Sequence, residues 1–303
     1  MTDDPVAIPG QRRESEEDRQ RKLAALRARL HEEAQAVHTP EDWARCLRLA
    51  ARLPGESFAN ILLISAQRPG ATMLRRYNAW RAMGRQVSRQ EKGITIFSAA
   101  RQPRPEHTDP RPGQAPDQPA PSWRDAERVA CVWDLSQTSG RAVTVQAAIP
   151  SPPGQAPPGL WDALCWMARR EGFAVEREHG CPDDGVTMWT VRRIRVLPSL
   201  DGQRAAWALA HQLGHVLLRE PADCPPGTTT SGCTGVRKAE ADSVAFIICT
   251  RYGITTAHRF PSPATWAGGD PRAQPTAAIL TAGERVTAAA SRITHHLDRI
   301  LPG

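Results

Sequence analysis

Lysine is nearly absent from this chain: Lys22, Lys92 and Lys238 stand alone among 39 basic residues, and the rest are arginine. With abundant alanine and proline, that bias marks a GC-rich genome as much as a function. A formal charge of +7 therefore establishes no nucleic-acid partner by itself. Also missing is any CxxC pair. Seven cysteines, at 46, 131, 165, 181, 224, 233 and 249, fit reduced thiols better than a disulfide framework. Cys224 and Cys233 flank a turn-rich loop, where pairing or metal binding is the alternative to free thiols. No apolar run approaches the roughly 18 residues of a spanning helix. The opening MTDDPVAIPG lacks the basic stretch and apolar run of an export signal. The expectation is a soluble cytoplasmic protein with no membrane partner.

What is present divides the chain. Its 303 residues suffice for two domains, each with its own core. Ser15 and Asp18 open a predicted helix with Leu23, Leu26, Leu30 and Val37 at helical spacing. Thr39-Pro40-Glu41-Asp42 caps a second, which ends near Pro54-Gly55. SFANILLISAQ and RRYNAWRAMG read as a third and a fourth. GITIF and RVACVWDL then read as antiparallel strands, separated by a proline-rich insertion over 101–123 that is too polar to pack. A second proline cluster, 149–159, is the expected interdomain linker between a domain over 1–148 and one over 160–303. Beyond it come a helix near 160–170, the strand FAVERE, and TMWTVRRIRVL, whose alternation reads as one half-exposed strand. Asp201 caps the helix carrying AAWALAHQLGHVLLRE, another helix runs through VRKAEADSVAFIICTRY, and AGERVTAAASRITHHLDRIL closes the chain. The fold class expected is α+β.

The segment HQLGH carries the chemistry. His211 and His215, four apart on a helix, project from one face as two nitrogen ligands of a tetrahedral zinc would. A third ligand is required. Glu240, near the start of the next helix, is the candidate. Asp242 is either an alternative ligand or the acceptor that orients a ligand histidine through its other N–H. In a zinc peptidase the residue after the first histidine is a Glu that moves the proton of the attacking water; here it is Gln212, similar in size but unable to accept that proton. Metal binding without hydrolysis is the expected phenotype. Survival of all three candidate ligands favours a single deliberate replacement over decay. An oxyanion-stabilising group stays open between Tyr252 and nearby arginines, and the adjacent His295 and His296 point apart and read as surface residues.

SFANILLISAQRPGATMLRRYNAWRAMGRQVSRQEKGITIF, followed by VWDLSQTSG, resembles the N-terminal domain of ArdC-type antirestriction proteins in the order of its N-I-L-L, A-Q-R-P, Y-x-x-W, G-R-x-V, E-K-G-I and D-x-S-Q-T features. SRQEKG departs from the Lys-Gly pair usual before E-K-G. The C-terminal half resembles the zincin-like metallopeptidase domain that accompanies that module, and more distantly the ImmA/IrrE-type regulatory proteases. The resemblance implies single-stranded-DNA binding in the first domain. In the second it implies Zn2+ held by His211, His215 and Glu240, with Gln212 at the general-base position.

The residues read on their own are compatible with a DNA module: Arg75, Arg76, Arg81, Arg85, Arg89 and Lys92 interleave with Tyr77 and Trp80, supplying cations for phosphate and rings for bases. A solvated arginine face with Trp80 in the core is the competing reading. Arg68, Tyr77, Trp80, Arg85 and Lys92 are the expected DNA contacts. The function expected is a single-stranded-DNA-binding zinc metalloprotease acting on DNA-associated protein and inactivated at Gln212. The alternative is a non-catalytic antirestriction or DNA-transfer protein with a structural zinc.

Overall fold

The computed structural model describes residues 15–98, 128–144, 152–181, 183–218, 233–255, 260–267 and 275–301. The proline-rich insertion, residues 149–151 of the expected linker, and Cys224 lie outside the described residues. Three helices open the chain: α1 (Glu16–Gln35), α2 (Pro40–Arg52) and α3 (Phe58–Gln67). Each starts on a hydroxyl that accepts a backbone N–H of its first turn: Ser15, Thr39 and Ser57. At α2 the cap is reciprocal, with Asp42 returning a bond to the Thr39 N–H. α3 is apolar around its whole first two turns, so it sits in the core, with every residue from Phe58 to Ile64 buried.

The two polar residues of α3 that face the sheet act on strand backbone. A three-stranded sheet of order β1-β4-β3 joins β1 (Leu74–Arg75), β4 (Arg128–Asp134) and β3 (Ile94–Ser98), with antiparallel pairings throughout. β3 is an edge. Asn60 takes both backbone groups of Phe97, at 2.9 and 3.2 Å, and Gln67 both of Thr95, at 2.9 and 3.0 Å. Two amides on one helix thus satisfy an edge that would otherwise pair with another chain. After α4 (Tyr77–Ala82), β2 (Arg85–Val87) pairs with β5 (Thr138–Gly140). Asp134 knots these parts: its buried carboxylate accepts from the N–H groups of Thr72, Met73 and Ser136. Burial would raise this carboxyl, but the Ser136 hydroxyl and those three N–H groups hold it below its ordinary value.

The second half contains α5 (Leu160–Arg170), a sheet of order β6-β8-β7, and the helices α6 (Gly202–Leu218), α7 (Gly235–Arg251), α8 (Pro263–Ala267) and α9 (Pro275–Ile300). TMWTVRRIRVL is not one strand. It breaks into the end of β7 (Gly185–Met188) and β8 (Arg193–Val196), a hairpin turning at 189–192 with Arg192 at φ 51°. The alternation of side chains runs straight through the turn, and no glycine, proline or asparagine marks it, which is why periodicity alone misreads it. β6 (Ala174–Arg177) joins β8 in parallel, leaving β7 as an edge.

Segments on both sides of 149–159 contribute to one contiguous hydrophobic core. Trp43 of α2 is fully buried against Phe58 and Trp266, and its indole N–H donates to Ser243 Oγ of α7 at 2.9 Å. No helix among the described residues is long and apolar enough to cross a membrane.

The α2 cap supplies a measurable contribution. Burial alone would raise the Asp42 carboxyl; hydrogen bonds from the Thr39 hydroxyl and backbone, the His38 backbone and Arg45 bring it down to about 2. An acid whose folded value is depressed stabilises fully above its ordinary value of 3.8, and that contribution disappears as pH falls toward about 2. Asp42→Asn is expected to flatten this part of the acid-unfolding curve, and Thr39→Ala to cost about 1 kcal/mol at neutral pH in denaturant titrations.

Candidate functional site

The site is built where α6 and α7 come closest. A Cβ on Gly214 would lie 3.0 Å from Ala241 Cα and 3.2 Å from its carbonyl oxygen, so only glycine permits this approach. The contact sets α7 one backbone's thickness from the histidine face of α6, and Asp242 Oδ1 lies 2.8 Å from His211 Nδ1. An imidazole that donates from Nδ1 to a carboxylate must carry its lone pair on Nε2. That Nε2 stands 3.1 Å from His215 Nε2, which in turn lies 3.2 Å from the Cys233 sulfur. Within the described residues, His211, His215 and Cys233 form the group able to hold a metal ion, with donor atoms all within 4.8 Å of one another.

The donor set fits a metal. Tetrahedral zinc with ordinary Zn–N and Zn–S bonds separates its nitrogens by about 3.3 Å and nitrogen from sulfur by about 3.5 Å, close to what is found.

Glu240, expected as the third ligand, is not drawn into this cluster. Its carboxylate is buried and pairs with Arg285 Nε of α9 at 3.1 Å. Burial raises that carboxyl above its ordinary range, with Arg285 and Arg237 opposing. The reason is helical geometry: residues two apart lie about 200° apart around the axis, so the turn that presents Asp242 to His211 directs Glu240 to α9. Cys233, two residues ahead of α7, supplies the third donor in the structure. Its position in the Gly/Thr/Cys loop was the available signal, and spacing from the histidines could not select it. Tyr252 is not part of the candidate metal cluster: it ends α7, and its hydroxyl donates to Asp298 at 2.7 Å in a partly buried group with Arg251.

Gln212 is buried, with 4% of its surface exposed, and both ends of its amide are used. Nε2 donates to the Gly185 carbonyl at 2.9 Å, and Oε1 accepts from the Thr187 hydroxyl at 2.9 Å. Gly185 matters here too, since a Cβ on it would approach the Arg195 carbonyl to 3.0 Å and Gln212 Cγ to 3.5 Å. The amide is therefore bonded to the edge strand β7. The open groove beside it, of about 540 Å³, is lined by Asp184, Trp207, His211, Gln212, Cys233 and Lys238, among others.

The expected DNA contacts separate into two groups. Trp80 is fully buried and its indole N–H donates to the Trp133 carbonyl at 2.9 Å, so it is a core residue and cannot stack on a base. Arg85 is spent on β5, donating to the Thr138 hydroxyl and to the carbonyls of Thr138 and Arg141. Arg68 donates to Ser136 Oγ at 2.8 Å beside Glu91. Tyr77 is 40% exposed, edge-on to Trp133, and Lys92 is exposed. Tyr77 lines an open groove of about 850 Å³ with Arg76, Asn78, Ser98, Arg128 and Trp133. Arg76 and Arg128 are thus the cations that accompany exposed rings.

The bonding of Gln212 sets a test. A carboxylate at this position faces the Gly185 carbonyl, oxygen to oxygen, with a donor lost. In chelator-treated protein Gln212→Glu is expected to lower stability by about 1–3 kcal/mol at neutral pH. The deficit should shrink as pH falls, because the protonated acid can donate again. A thermal midpoint unchanged by the substitution would show that the amide bonds contribute nothing.

No protein-family model and no curated protein sequence matches the chain significantly. Among solved structures, the chain is similar to the metal-free antirestriction protein ArdC from plasmid R388, with 16% identity and a TM-score of 0.45, over 80% of this chain and 86% of that one. The Mn(II)-bound structure of the same protein aligns with 16% identity and a TM-score of 0.47, over 86% of this chain and 99% of that one. The helices and small sheets described above make the chain an α+β protein.

Proposed function

We propose that this protein is an antirestriction or DNA-transfer factor that binds single-stranded DNA and holds a divalent metal, zinc by its donor set, in a centre that does not hydrolyse peptides. The observation that carries this reading is the state of Gln212. The position that would need a base beside the two histidines is filled by an amide whose donor and acceptor are both matched to β7. Such matching makes glutamine the fitted residue there. His211, oriented by Asp242, and His215 supply the metal-binding function. When bound, the metal would contribute a Lewis-acidic charge, and the chain's own residues contribute the orientation of its ligands.

A second reading, a DNA-localised zinc metalloprotease disabled at Gln212, draws on the same histidine helix and on β7, an edge strand beside the groove to which an extended substrate could add. Here β7 already spends the Gly185 carbonyl on Gln212. For DNA, the support is the Tyr77, Trp133, Arg76 and Arg128 groove: cations with exposed ring surface suit sequence-tolerant binding of unpaired bases.

Two measurements test the proposal. Fluorescent single-stranded oligonucleotides should bind more tightly than duplex, with affinity falling steeply with salt. Tyr77→Ala should weaken binding by about 1–3 kcal/mol, the worth of one stacked base. Equal binding of duplex, unaffected by Tyr77→Ala or Arg128→Ala, would remove the DNA function. Gln212→Glu, loaded with zinc and incubated with DNA and DNA-bound proteins, should cleave nothing; cleavage, including self-cleavage, would establish the disabled-protease reading instead.

A further inference from the structure

We propose that Cys233 ligates the metal as a thiolate, converting a two-histidine site into a His-His-Cys centre selective for zinc-like ions over manganese or magnesium. This deepens the metal-centre reading above and rests on it. Three features of the geometry lead here. The sulfur lies 3.2 Å from His215 Nε2, on the side where the two histidine nitrogens meet. The cluster is assembled from two separate elements, His211 and His215 on α6 and Cys233 just ahead of α7, and the α6–α7 contact at Gly214 holds these together. Asp242 orients the histidine ring so that its lone pair faces the same point as the sulfur.

The chemistry follows from donor type. A thiolate with two imidazoles favours zinc and cobalt, whereas manganese and magnesium prefer oxygen donors, so the sulfur acts as the selectivity element. Ligation breaks the S–H bond, forms a metal–sulfur bond and releases one proton to solvent per ion bound, with no change of oxidation state. Three protein donors leave one tetrahedral position for solvent, so the absence of hydrolysis rests on the amide at Gln212 in place of a base and not on closure of the site. The other described cysteines do not compete. Cys46, Cys165 and Cys249 are buried, and none of the described cysteines apart from Cys233 belongs to the histidine cluster.

Cobalt(II) provides the test, because thiolate ligation gives a near-ultraviolet charge-transfer band that nitrogen and oxygen ligands do not. Full-length protein stripped with chelator should take up one cobalt per chain with this band. Zinc should displace it and manganese should not. Cys233→Ser should abolish the band, keep the visible cobalt bands, and weaken binding by about tenfold or more; Asp242→Asn should weaken binding by about 10–100-fold with the band retained. A cobalt complex of the unsubstituted chain lacking the thiolate band overturns the role of Cys233 and leaves the histidine centre standing. Failure to take up cobalt, or uptake unaffected by His211→Ala, overturns both. The decisive observation is made on the unsubstituted protein, so a folding defect in a variant does not obscure it.

Discussion

The close approach of α6 and α7 at Gly214 is the constraint on which the rest of the molecule depends. Ala241 fills the space that a side chain at 214 would occupy. At ordinary helix separation the Asp242 carboxylate would not reach His211, the imidazole would lose its fixed tautomer, and Cys233 would stand off from His215. The other side of α7, which carries Ser243, receives the Trp43 indole of α2. Helix α7 thus links the candidate metal site to elements more than 150 residues away in sequence. The energetic logic is that of close-packed interiors, in which a displacement of a few tenths of an ångström at one contact is passed to its neighbours.

Side-chain amides serve edge strands in both three-stranded sheets. Asn60 and Gln67 on α3 cover alternate residues of β3, and Gln212 on α6 bonds to β7. An amide is suited to the task because it offers a donor and an acceptor together, which is what a strand edge presents; a carboxylate offers acceptors alone. Gln212 viewed this way belongs to the architecture of the groove as well as to its chemistry. The Asp134 knot shows the complementary choice: where only N–H groups converge, the residue is a carboxylate, held ionised by them.

Much of the fold was legible because its signals are local. Hydroxyl caps at Ser15, Thr39 and Ser57, apolar spacing in α1 and α2, and the alternating runs of β3 and β4 each depend on a few adjacent residues. The hairpin hidden in TMWTVRRIRVL was not legible, since Arg192 enters a left-handed conformation without any residue that advertises it. In the Y-x-x-W feature, spacing could not tell Tyr77, which is exposed, from Trp80, which is buried. Exposure is decided by which helix face meets the sheet, and α4 is too short for periodicity to reveal that.

At the candidate metal site the division is clear. The sequence by itself determined that two imidazoles share one helix face four residues apart, and that an amide stands where a base would be needed, because both are properties of a single helix. Only the tertiary structure decided which side chains converge with the two histidines. Glu240 and Asp242 are near neighbours in sequence with the same chemistry, yet the rotation of α7 directs one to Arg285 and the other to His211. Cys233 reaches His215 from a loop whose path no periodic pattern encodes. Ligation requires convergence of donors in space, and convergence is a property of packing between elements that no one segment contains.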